Sequence, residues 1–273
     1  MNKKHLLLIL YILGFFNACR SDQSKSVISS TAIEKPNHRI LATSPHDPEA
    51  FSQGLFMNNE TLIEGTGLNG KSWISTYQLG TLEYDKKVIL PDDFFGEGLT
   101  LLDNKIYQLT YKSQIGFIYD FSTFEKIETF SYPITIKEGW GITHNNEQLI
   151  VSDGSSTLYF LDTINYEIQR SINVHKNGSA ISKLNELEYI EGYLYANVWG
   201  SNSILRINPS NGEVEDEYDL TNIVKMEKSK HPKIEVLNGI AYDTKNKNII
   251  VTGKYWYNYY RIVLNPRQAE INN

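Results

Sequence analysis

The sequence repeats itself, and the repeat leaves few folds open. Five segments share one pattern: FSQGLFMNNETLIEGTG from Phe51, FGEGLTLLDNKIYQLTY from Phe95, EGWGITHNNEQLIVSDG from Glu138, LNELEYIEGYLYANVWG from Leu184 and LNGIAYDTKNKNIIVTGKYW from Leu237. Each starts with a short strand-like run and turns through polar residues such as Asn58-Asn59, Asp103-Asn104, Asn145-Asn146 or Glu191-Gly192. It then returns as an alternating strand, as at 149–152 or 194–198. A third strand is predicted at 72–79, 115–120, 157–162, 204–208 and 259–264, and a fourth ends most units, as at 125–131 and 167–174. Four strands per unit of about 45 residues is the signature of a β-propeller blade. The aromatic share of 12%, with 18 Tyr against 3 Met, suits an all-β architecture.

Aligned on the innermost strand, Gln53, Glu97, Trp140, Asn185 and Asn238 fall at one equivalent position, spaced by 44, 43, 45 and 53 residues. The long last interval holds 221–235, rich in Lys and Glu, which reads as a short helical insertion. The last unit lacks a fourth strand, and the segment 38–44 precedes the first unit without a partner. It is expected to complete the last blade and close the ring, which removes open sheet edges. The prediction is an all-β, five-bladed propeller of four-stranded antiparallel blades over residues 37–266, followed by a C-terminal tail at 267–273.

Residues 1–19 read as a signal peptide, with Lys3 and Lys4 ahead of an apolar run of eleven that is too short to span a bilayer. The string Phe16-Asn17-Ala18-Cys19 resembles the lipobox of bacterial lipoproteins, and Cys19 is the only cysteine. The expectation is a lipid anchor on Cys19 and a Ser-rich flexible tether over 20–36. The alternative is an ordinary signal peptide with an incidental cysteine. Cleavage before Cys19 leaves 255 residues of net charge −8, against −6 for the whole chain. One cysteine excludes an intrachain disulfide and a Cys-cluster metal site. The mild acidity argues against a nucleic-acid partner. The chain is expected to be a monomer, exported and held at the cell envelope by its anchor, facing the periplasm or the outer surface.

The inner strands of a propeller run along its axis, so the five equivalent residues face one another across one mouth of the channel. Amides, a carboxylate and an indole converging there describe a ligand pocket. An Asn at such a place serves equally to hydrogen-bond the inner-strand backbone. The Glu97 carboxylate is costly to desolvate without a partner or a task. Other signals carry less. Gly65-Thr66-Gly67-Leu68-Asn69-Gly70 fits the dinucleotide fingerprint literally, but a strand-like 73–77 follows where a helix is required, so a hairpin loop is expected. The six His are scattered without zinc-site spacing, and no metal or cofactor is expected. His46-Asp47 could orient a catalytic group, but is expected rather to fix the turn where the closing strand enters the first blade.

Seven strings, in order along the chain, resemble the glutaminyl-peptide cyclotransferases of the plant and bacterial type. They are HDPEAFSQGL from His46, FGEGLT from Phe95, EGWG from Glu138, NELE from Asn185, ANVW from Ala196, LNGIA from Leu237 and TGK from Thr252. The resemblance implies a five-bladed propeller that converts N-terminal glutamine of peptides or proteins to pyroglutamate and releases ammonia. It is unrelated to the zinc-dependent animal enzymes. It also implies Glu97 as the catalytic carboxylate, Gln53, Asn185 and Lys254 as polar partners, and an aromatic pocket of Phe51, Phe95, Trp140 and Trp199. Tyr111 stands where the family usually carries Trp, keeping an aromatic wall but adding a hydroxyl. Asn238, equivalent by position, joins the substrate-binding set.

The chemistry suits these residues. Attack of the α-amine on the side-chain carboxamide closes a five-membered ring, so proximity is built into the substrate. One carboxylate can take the proton from the amine and pass it to the departing nitrogen. An aromatic pocket would raise the proton affinity of Glu97 and a nearby Lys254 would oppose this; the sequence does not decide between them. Lys254, Asn185 or Gln53 could donate to the carbonyl oxygen as it gains charge. Two other readings stay open at this level. One is a non-catalytic lipid-anchored propeller that binds a peptide or a surface partner. The other is a metal-dependent, lactonase-like propeller, which needs several axial carboxylates where only Glu97 occupies the equivalent position.

Overall fold

The computed structural model describes residues 37–265; the signal segment, Cys19, the tether and the predicted C-terminal tail lie outside the described residues. The chain opens with β1 (His38–Pro45). Blade 1 holds β2 (Ser52–Asn58), β3 (Thr61–Thr66), β4 (Trp73–Gln78) and β5 (Lys86–Ile89). Blade 2 holds β6 (Gly96–Leu102), β7 (Lys105–Thr110), β8 (Ile115–Asp120) and β9 (Lys126–Ser131). Blade 3 holds β10 (Ile142–His144), β11 (Gln148–Ser152), β12 (Thr157–Asp162) and β13 (Ile168–Asn173). A small hairpin of β14 (His175–Lys176) and β15 (Ser179–Ala180) precedes blade 4, built from β16 (Leu184–Ile190), β17 (Tyr193–Val198), β18 (Ser203–Ile207) and β19 (Val214–Asp219). After the helix α1 (Thr221–Lys230), β20 (Leu237–Asp243), β21 (Asn248–Gly253) and β22 (Asn258–Leu264) form blade 5 together with β1, in the order β1-β22-β21-β20.

The ring therefore closes as expected, with His38 opposite Leu264 and Pro45 opposite Asn258. The insertion is α1, and the glycine-rich loop joins β3 to β4. Turn chemistry sets the inner hairpins. Asp103 and Asn104 both have positive φ, as do Glu191 and Gly192, so each pair forms a primed two-residue turn between its strands.

Each blade is packed on both faces, which explains why its inner strands are apolar at successive positions. Leu62 faces blade 5 while Ile63 faces blade 2. Leu149 and Ile150 divide in the same way between blades 2 and 4, and Ile249 and Ile250 between blades 4 and 1. The outer strands have one wet face, and β9 and β13 are largely exposed.

The closing seam between blades 5 and 1 has a small apolar cluster of Leu55, Leu62, Tyr77, Ala241, Ile250 and Tyr259. A buried polar clasp joins it. Glu64 on β3 accepts hydrogen bonds from Ser52 (2.5 Å), His46 Nε2 (3.0 Å), Tyr77 (3.0 Å) and Tyr259 (2.9 Å), while His46 Nδ1 donates to the Trp256 carbonyl at 2.7 Å. Tyr84 donates to Asp47 beside it. His46-Asp47 thus sits at the turn into blade 1 and ties that turn to blade 5.

Candidate active site

The inner strands bulge where they reach the axis. Register shifts fall between Ser52 and Gly54, Gly96 and Leu99, Leu184 and Leu187, and Leu237 and Ile240, so the aligned residues Gln53, Glu97, Asn185 and Asn238 all lie on bulges. A bulge re-aims side chains and frees backbone groups that need new partners. Gly98 N donates to the Trp140 carbonyl at 2.8 Å, and Gly141 N donates to Ser152 Oγ at 2.8 Å. Neighbouring inner strands approach so closely that a Cβ on Gly98 would lie 2.7 Å from the Trp140 oxygen, and one on Gly141 would lie 2.1 Å from the Asn185 oxygen.

Blade 4 carries Glu186 where the other four blades carry glycine after the aligned residue. Its carboxylate accepts from Leu55 N at 3.3 Å and Ile240 N at 2.8 Å, pinning blade 4 to blades 1 and 5. Burial pushes its proton affinity well up. This second axial carboxylate was not among the residues expected at the site. It serves the backbone, and among the described residues no group of three His, Cys, Asp or Glu side chains could hold a metal ion.

Above the bulges lies a cavity of about 320 Å³ lined by Phe51, Gln53, Phe95, Glu97, Tyr111, Trp140, Asn185, Trp199 and Lys254. Nine of the ten residues predicted from the sequence meet there. Asn238 does not. It is fully buried behind the wall, donating to the Ser52 carbonyl at 2.9 Å and to Gln53 Oε1 at 3.4 Å. That is a correction to its expected place in the substrate-binding set, and its amide does what an inner-strand Asn can do equally well. By engaging Gln53 Oε1 it leaves the Gln53 NH₂ for the cavity.

Phe95 packs on Phe51 (6.1 Å between ring centroids) and Tyr111 (5.6 Å), and Phe51 packs on Tyr255 (5.3 Å). The Lys254 ammonium sits 4.3 Å from the Phe51 ring centroid, a cation–π contact. Glu97, Gln53, Asn185 and Lys254 are buried, while Trp199 is 44% exposed at the rim with Lys183 over its ring. Gly67, from the loop that mimics a dinucleotide fingerprint, lies against Phe95 and Gln53, where a Cβ would come within 2.3 Å of the Phe95 ring.

Burial decides the electrostatics that the sequence left undecided. Desolvation pushes the Glu97 carboxyl well above the usual 4.5, the Lys254 charge pulls it down, and the Glu138 carboxylate adds to the rise. Burial lowers Lys254 from its usual 10.5, against the pull of Glu97 and Glu235. Burial thus weakens the hold of each group on its charge, and the opposite charge of the other restrains that shift.

The backbone fixes the placement of Lys254, because its N–H donates to the Val236 carbonyl and its carbonyl accepts from Glu235 N. The turn that follows is held by Glu227 of α1, which accepts from Tyr257 N at 2.7 Å, Asn258 Nδ2 at 2.9 Å and the Tyr260 hydroxyl at 2.5 Å. Glu138, Tyr255, Gly67 and Glu227 all support the site. Of these, only Glu138 stands in one of the strings that carry the family resemblance.

A family model described as glutamine cyclotransferase matches residues 10–264. The glutaminyl-peptide cyclotransferase of Arabidopsis thaliana is 39% identical over 236 residues, covering 86% of this chain and 73% of that protein. The crystal structure of Myxococcus xanthus glutaminyl cyclase superposes with a TM-score of 0.78 at 28% identity, covering 85% of this chain and 97% of that one.

Proposed function

Because the chain belongs to the glutamine cyclotransferase family, we propose that its cavity cyclises N-terminal glutaminyl residues of peptides and proteins with Glu97 as the proton carrier. The observation that supports this most is a buried carboxylate of raised proton affinity in an aromatic-walled cavity with a lysine and two amides. The aromatic rings hold the glutaminyl side chain folded back on its own amine and limit water. The α-nitrogen bonds to the side-chain carboxamide carbon, and Glu97 takes the proton that the amine loses. The carbonyl oxygen gains negative charge in the tetrahedral intermediate, and the Lys254 ammonium and the Gln53 NH₂ donate to it. The bond from that carbon to the amide nitrogen then breaks, Glu97 returns its proton to that nitrogen, and ammonia leaves. The carboxylate is regenerated, and no proton is gained or lost overall.

The full chain incubated with a Gln-initiated dipeptide should release ammonia and form the pyroglutamyl product, undiminished by a metal chelator. Binding of the peptide without ammonia release would reduce the protein to a peptide-binding propeller. Activity lost on chelation would remove the carboxylate-only mechanism.

The proposal extends to location. Cys19 carries a lipid anchor, and the enzyme is exported, held at the cell envelope and monomeric. The support is the leader composition of residues 1–19 and the single cysteine at its end. Metabolic labelling with a fatty-acid analogue should mark the chain and fail to mark Cys19→Ala; equal labelling of both would refute the anchor.

A further inference from the structure

Glu138 stands two residues before Trp140 and does not line the cavity. Its Oε2 accepts a hydrogen bond from Trp140 Nε1 at 3.1 Å, and its Oε1 lies 3.4 Å from Lys112 Nζ. Lys112 in turn sits over the Tyr111 ring, 4.6 Å from its centroid. One carboxylate thus joins two aromatic walls of the cavity. The Trp140 backbone N–H donates to the Ser152 carbonyl at 3.0 Å, and its indole is held at two places: the ring lies against Gly154, and its Nε1 is engaged by Glu138. Removing Glu138 leaves the ring packed on Gly154 but takes away the polar contact that fixes its tilt.

We infer that Glu138 is a positioning residue of the reaction proposed above, fixing the Trp140 indole through its N–H and placing, behind that wall, a negative charge that opposes Lys254. The inference rests on the reading of the cavity as a cyclotransferase site. The groups that face Glu97 are few. Lys254 bears on it with positive charge and Glu138 with negative charge. The Tyr132 hydroxyl, which also feels the Glu97 charge, is spent on the Thr110 carbonyl at 2.6 Å. Lys112 compensates Glu138 only partly, because the Lys112 side chain is 64% exposed and screened by water while that of Glu138 is 28% exposed. Glu138 therefore opposes Lys254 and favours the protonated form of Glu97.

Three variants of the full chain separate this role from a merely structural one. Glu138→Gln keeps an acceptor for the indole N–H and removes the charge. The acid limb of its kcat profile should move to lower pH with KM little changed. Glu138→Ala removes both, and should show the same displacement together with a KM raised roughly tenfold, as expected for one lost charge-assisted hydrogen bond. Lys112→Met removes the counter-charge and should move the limb the other way. Trp140 fluorescence, taken as the difference between a protein and its Trp140→Phe counterpart, should change in Glu138→Ala and persist in Glu138→Gln, without need of turnover. Profiles that superimpose on wild type overturn the electrostatic half of the inference, and unchanged Trp140 emission in Glu138→Ala overturns the positioning half. Failure of the wild type to release ammonia overturns the proposed function instead and leaves the emission result to judge the hold on Trp140.

Discussion

Glu97→Gln should lower turnover of a Gln-initiated dipeptide by about 10²- to 10⁴-fold, the contribution of a positioned proton carrier. Gln keeps the shape of the side chain but neither takes nor returns a proton. In the wild type, Glu97 must be ionised to accept the proton of the amine, and burial holds its carboxyl well above 4.5. The acid limb of kcat should therefore lie above the ordinary carboxylate range. The same shift has a thermodynamic consequence. Between the unfolded and folded pKa values the folded chain binds more protons than the unfolded chain, so Glu97 costs stability progressively as pH rises through that window. Glu97→Gln removes this cost, and thermal melts above pH 4.5 should show the variant at least as stable as wild type. Inactivity with an intact melt assigns the loss to chemistry. Wild-type turnover in the variant would take Glu97 out of the mechanism.

Glu64→Ala should give the largest loss of stability, about 3–5 kcal/mol, because it truncates one partner of a buried ion pair and leaves the other uncompensated. It strips the acceptor from Ser52, His46, Tyr77 and Tyr259 together at the closing seam. The clasp is also sensitive to pH. Burial lowers the proton affinity of His46, but the Glu64 carboxylate and the Trp256 carbonyl raise it by more, so the imidazole ends above its usual 6.5. A group whose folded value is raised contributes stability that is fully present below its unfolded value and is lost as pH rises through the folded one. Denaturant unfolding should show the wild-type advantage over Glu64→Ala shrinking as pH rises above 6.5. A loss under about 1 kcal/mol, the scale of an exposed pair, would mean that the clasp does not hold the ring.

Much of this architecture was legible because its causes are local. Primed turns at Asp103-Asn104 and Glu191-Gly192 mark hairpins, and the interval of 43 to 45 residues between the first four units makes inner-strand residues align without any knowledge of the fold. The closing strand was visible as a strand without a partner. Fourth strands were expected in most units, but β5 and β19 could not be given bounds, since outer strands have one wet face and carry a weaker apolar pattern; β14 and β15 are too short for any period to show. In the site, Glu97 and Asn238 occupy the same aligned position yet meet different fates, one on the cavity wall and the other behind it. That difference arises from neighbouring blades. Gly67 and Glu227 reach the site from a loop and a helix of other segments, while Glu138 and Tyr255 flank Trp140 and Lys254 without any spacing that marks them. The balance between desolvation of Glu97 and the charge of Lys254 depends on burial, which spacing does not encode.

The most direct test of the central claim compares one Gln-initiated peptide in two forms, with a free α-amine and with that amine acetylated. Intramolecular attack requires the free amine as nucleophile. The account predicts ammonia release and a pyroglutamyl product from the free peptide and no ammonia from the acetylated one. Equal ammonia release from both would show hydrolysis of the side-chain amide by water and contradict cyclisation.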